Sequence, residues 1–113
     1  MEEREFLARA DAELGKLEAA LAQLVDHGGA DFDYELKPGG VIELEFEDAS
    51  KIIINRHVAA REIWVAARGG GFHFRPPATA GGTWLGTRED EPLPVVLSRC
   101  LSEQAGVPVR LDW

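Results

Sequence analysis

The side chains of this chain whose types and spacing suit chemistry are, first, carboxylates. Asp31, Asp33 and Glu35 alternate with Phe32, Tyr34 and Leu36, so an extended strand puts the three acids on one face and the three apolar residues on the other. Like charges two residues apart on one face repel, and a cation relieves that repulsion. Carboxylate oxygens suit hard ions such as Ca²⁺, Mg²⁺, Mn²⁺ and ferrous iron. A preceding helix that carries Glu18 adds a further acid beside them. No closed cage follows from such a row, so the binding it implies is weak, labile and poorly selective. An antiparallel strand with one solvated face reads the same way, and the pattern alone leaves both readings standing.

A second group lies in the middle of the chain. In Lys51-Ile52-Ile53-Ile54-Asn55-Arg56, pointing Ile52 and Ile54 into a core puts Ile53, Asn55 and His57 on the opposite face. In Glu62-Ile63-Trp64-Val65-Ala66, Ile63 and Val65 take the inward positions and Trp64 faces out. Phe72-His73-Phe74 likewise turns His73 outward. An exposed indole marks a contact surface; Asn55 either joins it or bonds a neighbouring loop. Each histidine alone is an ordinary surface residue, whereas His57 and His73 as an outward pair have the donor chemistry for a transition metal or axial haem ligation.

Other chemistry is missing. Gly69-Gly70-Gly71 lacks the Lys-Ser/Thr and following helix of a phosphate loop. No Cys/His cluster has zinc spacing, and Ser50, Ser98 and Ser102 have no histidine close in sequence. Catalysis is the weaker reading. The single cysteine, Cys100, excludes an internal disulfide and fits a reducing cytosol. Residues 1–56 carry 14 acids and 6 bases and residues 57–113 carry 6 of each, so all of the net charge of −8 sits in the first half. That field disfavours nucleic acid and anionic membranes and favours cations and basic protein surfaces. An acidic start without an apolar h-region predicts no signal peptide, and no apolar run approaches the roughly 18 residues of a membrane span.

These residues need elements to position them. Phe6, Ala10, Leu14, Leu17, Leu21 and Leu24 recur at spacings of 4, 4, 3, 4 and 3, predicting an amphipathic helix over 3–25 that ends at His27-Gly28-Gly29. Glu13 falls on its polar face. Strands follow at 31–36, at 41–47 after the Pro38-Gly39-Gly40 turn, at 51–56, at 62–66 and at 72–74, with a short sixth at 83–85. Glu43, Glu45 and Glu47 face outward and add charge to the open sheet face. Leu93, Val96, Leu97, Cys100 and Leu101 form the apolar stripe of a second helix, opened by Pro92 and Pro94 and closed by Gly106. The tail from Val107 to Trp113 has no period and lies against the helices. At 113 residues the chain makes one domain. The economical fold is α+β: a two-layer sandwich with two helices packed on one face of a five- to six-stranded antiparallel sheet.

The order helix, meander, helix resembles the frataxin family. The resemblance is carried by Glu5-Phe6, Ala10-Asp11, Gly39-Gly40-Val41, Leu44-Glu45-Phe46-Glu47, Ser50-Lys51-Ile52-Ile53-Ile54-Asn55-Arg56, Ile63-Trp64-Val65-Ala66, Gly70-Gly71-Phe72-His73-Phe74 and Glu103-Gln104-Ala105-Gly106. It covers nearly the whole chain. It implies a cytoplasmic, non-enzymatic protein of iron–sulfur cluster assembly, monomeric or forming iron-driven oligomers, that binds ferrous or ferric iron weakly. The implied acidic ridge is Glu18, Asp26, Asp31, Asp33 and Glu35, docking to a basic patch of the cysteine desulfurase. Asn55, Trp64 and His57 on the open face would meet the assembly machinery, including the scaffold protein. Two departures stand out: His57-Val58-Ala59 replaces the family's Gln, acidic residue and Pro, and Ala19, Ala20, Ala22 and Gln23 thin the ridge at the end of helix one. The second implies weaker iron binding. The alternatives are an acidic adaptor without a metal role, a metal or haem site on His57 and His73, and a ferroxidase.

Overall fold

The computed structural model describes residues 1–28 and 30–113. The turn at His27-Gly28-Gly29 includes Gly29, which lies outside the described residues. The stripe of period 3.6 forms helix α1, Glu3–Asp26, with Glu3 and Glu5 in its first turn, where negative charge opposes the helix dipole. Six strands follow: β1 Phe32–Lys37, β2 Val41–Phe46, β3 Lys51–His57, β4 Glu62–Ala67, β5 Gly70–Arg75 and β6 Leu85–Gly86, then helix α2, Leu93–Ala105. The strands make one sheet in chain order, every neighbour antiparallel. This is the α+β sandwich the pattern predicts.

The inner face carries Ile42, Leu44, Ile52, Ile54, Ile63, Val65 and Phe74, which join Phe6, Leu17 and Leu21 of α1 and Leu93, Leu97 and Leu101 of α2 in one core. Strict alternation in β2 to β4 leaves the other face without a covering layer. The β1–β2 turn depends on Gly40, whose φ is +74° and whose missing Cβ would fall 2.6 Å from the Arg56 side chain. Arg56 uses that gap to cross from β3 to Asp11 of α1, tying the helix to the sheet.

The structure departs from the sequence pattern in several places. Leu36 is half exposed, at 50%, since it lies near the end of an edge strand where none of the described residues covers the inner face. Gly70 and Gly71 belong to β5 rather than to the preceding turn. The last strand begins at Leu85, while Trp84 enters the core against Phe6, with ring centroids 6.2 Å apart. Pro92 is the N-cap of α2, with Pro94 inside its first turn. Glu13 is buried because Trp113 closes over it and donates its indole N–H to Oε2 at 2.6 Å.

The tail is clasped to α2. Ser98 Oγ accepts the Leu111 N–H at 2.9 Å and Ser102 Oγ accepts the Val109 N–H at 2.9 Å. Each hydroxyl donates to the carbonyl one turn back in the helix, Pro94 at 2.7 Å and Ser98 at 2.8 Å. At the other end of α2, buried Gln104 accepts the Arg68 N–H at 3.0 Å and donates to Ser50 Oγ at 2.9 Å and the Lys51 carbonyl at 3.2 Å. One amide thereby fixes the helix to two sheet turns. Gln104→Leu should cost about 2–3 kcal/mol, since it strands those polar groups in the interior. Urea denaturation checks this; a loss under about 0.5 kcal/mol would mean that water replaces the amide.

Candidate acidic ridge and open sheet face

The register builds the outer face. Asp33 lies opposite Glu45 and Glu35 opposite Glu43, while Glu43 in turn faces Ile53 and Glu45 faces Lys51. Directly opposed side chains stand roughly 5 Å apart at Cβ, and like charges there are unfavourable. Two of these acids are partly relieved. Glu43 is held by Lys37 and, at 3.0 Å, by Lys51; Lys51 also lies 3.9 Å from Glu45. Glu43 therefore adds no free charge to the sheet face, contrary to the pattern's expectation. Asp31, Asp33 and Glu35 are exposed and form no ion pair among the described residues. With Glu45, and with Glu47 just beyond β2, they make a negative strip along the β1–β2 edge.

Hydrogen bonds from Lys37 and then Lys51 hold the Glu43 carboxyl below its ordinary value of 4.5. Glu43 in turn raises both lysines. The carboxylate's contribution to stability is thus complete above its ordinary value and is lost as pH falls through the lowered one. The lysines' share is complete below their ordinary value of 10.5 and is lost as pH rises through their raised values. The stability curves of wild type and Glu43→Gln should therefore separate above about pH 5 and converge in acid. Parallel curves across that window would exclude the triad as a source of stability.

Glu18 and Asp26 are exposed on α1. Because α1 packs on the inner face and the strand acids point outward, the two groups can meet only around the free edge of β1. The structure brings Asp31, Asp33, Glu35 and Glu45 together and leaves Glu18 and Asp26 as a separate flank. No group of three His, Cys, Asp or Glu side chains converges on a point able to hold an ion among the described residues. The donor set is all carboxylate oxygen, suited to a hard cation held loosely.

Near the opposite end of the face, three rings stack. The His57 and Trp64 centroids are 3.7 Å apart at 14°, and those of Trp64 and His73 are 4.2 Å apart at 7°. Both histidines point outward as their alternation predicts, but the indole stands between them, so the two imidazoles do not converge on one ion. Trp64 Nε1 donates to Glu62 Oε1 at 2.8 Å, and His73 Nδ1 lies 3.6 Å from that same oxygen. The Ala60 N–H donates to His57 Nδ1 at 3.2 Å. Asn55, directly opposite Trp64, donates to the Arg56 carbonyl at 3.3 Å rather than to a neighbouring loop. Glu62 was missing from the candidates read from sequence; its place two residues before Trp64, on the same strand face, was the available signal.

A cavity of about 190 Å³ opens between β5, the loop 87–91 and α2, lined by Phe72, Phe74, Val96, Arg88 and Arg99. Of the candidate site residues only His73 reaches it. No helix is long and apolar enough to cross a membrane among the described residues.

Residues 1–107 match the family model described as a frataxin-like domain. The chain is 50% identical over 111 residues to the iron–sulfur cluster assembly protein CyaY of Dechloromonas aromatica, covering 98% of this chain and 99% of that protein. It is 50% identical over 109 residues to the protein of the same name from Ralstonia nicotianae, covering 96% and 93%. Among solved structures, frataxin from Psychromonas ingrahamii superposes with a TM-score of 0.79 at 27% identity, over the full length of both chains.

Proposed function

The chain belongs to the frataxin-like family, and on that premise we propose that it serves iron–sulfur cluster assembly as a non-enzymatic, iron-responsive docking protein of the cytoplasm. The observation that carries this reading is the strip of Asp31, Asp33, Glu35 and Glu45, exposed and without an ion-pair partner at Asp31, Asp33 and Glu35 among the described residues. Its self-repulsion falls when a divalent ion or a basic surface approaches. Ferrous iron is the cargo it would hold, weakly, and the basic patch of a cysteine desulfurase is the surface it would engage. The open face around Asn55, His57 and Trp64 would meet the scaffold protein.

The test is an anaerobic titration of the ¹⁵N-labelled protein with ferrous iron. Paramagnetic broadening should begin at Asp31, Asp33, Glu35 and Glu45 and extend to Glu18 and Asp26, and Asp33→Asn with Glu45→Gln should weaken it about tenfold, since ligand charge sets affinity in oxygen-donor sites. Broadening centred on His57 and His73 would move the metal to an imidazole site. A second reading, an acidic adaptor with no metal role, draws on the layout of the acids along two neighbouring strands rather than around a point. No specific broadening at millimolar iron would leave it as the better account.

A further inference from the structure

The two edges of the sheet are finished differently. At β6 the edge is covered: Leu85 bridges to Pro92, the Gly86 N–H donates to the Glu91 carbonyl at 2.9 Å, and the Leu93 N–H donates to the Trp84 carbonyl at 3.0 Å. On the other side β1 ends the sheet, with no strand beyond it among the described residues. Which of its backbone groups are free follows from β2. The Arg56 N–H donates to the Gly40 carbonyl and the Phe46 N–H to the Ser50 carbonyl, so the even-numbered residues of β2 bond to β3 and the odd-numbered ones to β1. With Asp33 opposite Glu45 and Glu35 opposite Glu43, those two acids spend their backbone groups inside the sheet. Tyr34 and Leu36 turn their N–H and C=O groups out to the free edge. The side chains along this edge sort by face: Asp33 and Glu35 are exposed on the outer face, while Tyr34 is partly buried and Leu36 half exposed on the inner one.

We propose that the free edge of β1 receives an extended segment of the basic docking partner as an added antiparallel strand, with Lys or Arg opposite Asp33 and Glu35 and apolar residues beside Tyr34 and Leu36. Residues opposite Tyr34 and Leu36 would form the hydrogen-bonded pairs. Those opposite Asp33 and Glu35 would form the other pairs, in which side chains come closest and opposite charges gain most. In strand addition the main chain supplies affinity and the alternating side chains supply the choice of partner. A second copy of this chain is a poor occupant, since β1 laid on β1 sets acids beside acids on the outer face. The inference rests on the docking reading of the acidic strip and deepens it by naming the conformation and pattern of the segment that docks.

The test uses the full ¹⁵N-labelled chain and three peptides of equal charge. Acetyl-Arg-Val-Arg-Val-Arg-Val-amide is compared with the block peptide acetyl-Arg-Arg-Arg-Val-Val-Val-amide and with the alternating peptide N-methylated at its valines, which removes the N–H groups that would pair with the edge. At saturation the alternating peptide should slow hydrogen exchange of the Tyr34 and Leu36 amides about fivefold, and it should bind about tenfold more tightly than either control. Leu36→Pro removes one outward N–H at a position where proline leaves the β1–β2 ladder intact. It should lower the alternating peptide's affinity about fivefold and leave the block peptide's unchanged. Unchanged Glu43 and Glu45 amide signals in free Leu36→Pro show that the ladder survives, and the methylated peptide decides the point on wild type in any case. Equal affinity of the three peptides, or binding without protection at Tyr34 and Leu36, would overturn strand addition and leave the strip a purely ionic surface. Binding of the purified desulfurase to wild type and Leu36→Pro is measured in parallel. If wild type does not bind it, the assembly reading fails while the peptides still decide the edge; if it binds both equally, strand addition plays no part in docking and the proposal falls.

Discussion

A chain ending at Gly106 should melt about 15 °C below the full-length protein. The tail buries Val109 and Leu111, which are only 7% and 4% exposed, and each contributes about 1.5–2 kcal/mol by leaving water. The Ser98 and Ser102 hydroxyls lose their N–H donors when the tail is removed. The entropy regained by freeing residues 107–113 opposes these losses. A net loss of about 3 kcal/mol would lower the melting temperature of a domain of this size by about 15 °C. Calorimetry of the truncated chain decides it; a melting temperature within about 3 °C of wild type would show the clasp to be ornamental. Trp113→Phe separates the parts, because it keeps most of the apolar cover and removes the bond to Glu13.

If the strip docks as proposed, reversing the charge of Asp31 and Asp33 together should weaken binding to a cysteine desulfurase about a hundredfold at low salt and about tenfold near physiological ionic strength. The double change to lysine moves the formal net charge from −8 to −4, and both positions are exposed, where salt screens the effect. Folding should be unharmed, since a lysine at position 33 would face Glu45 and replace a like-charge pair with an opposite one. Iron binding measured on the same variant separates the two proposed roles of the strip. If desulfurase affinity falls while the ferrous titration is unchanged, the strip is a protein-docking surface and not an iron site. If neither changes, the ridge is not where this protein works.

Much of the fold was legible because its signals are local. The 3.6-residue stripe of α1, the alternation in β2 to β4 and the Pro-Gly-Gly turn each follow from a few consecutive residues. The same alternation set the facing of Asp31, Asp33, Glu35, Asn55, Trp64 and His73 correctly. It failed at Leu36, where the facing was right but the burial was not: exposure depends on whether another element reaches that end of the strand. It failed also at Glu13, whose place on the polar face was overridden by a tryptophan 100 residues away.

The sequence by itself determined the element order, the inward and outward sets on each strand, and an excess of negative charge in the first half. These are fixed by covalent spacing, by side-chain period and by composition. Only the tertiary structure decided that Lys37 and Lys51 quench Glu43, that Trp64 stands between two histidines and keeps them from sharing an ion, and that Glu62 has one oxygen engaged and one free. Those facts depend on register and on side-chain direction between strands, and a one-residue slip in pairing would have undone each of them.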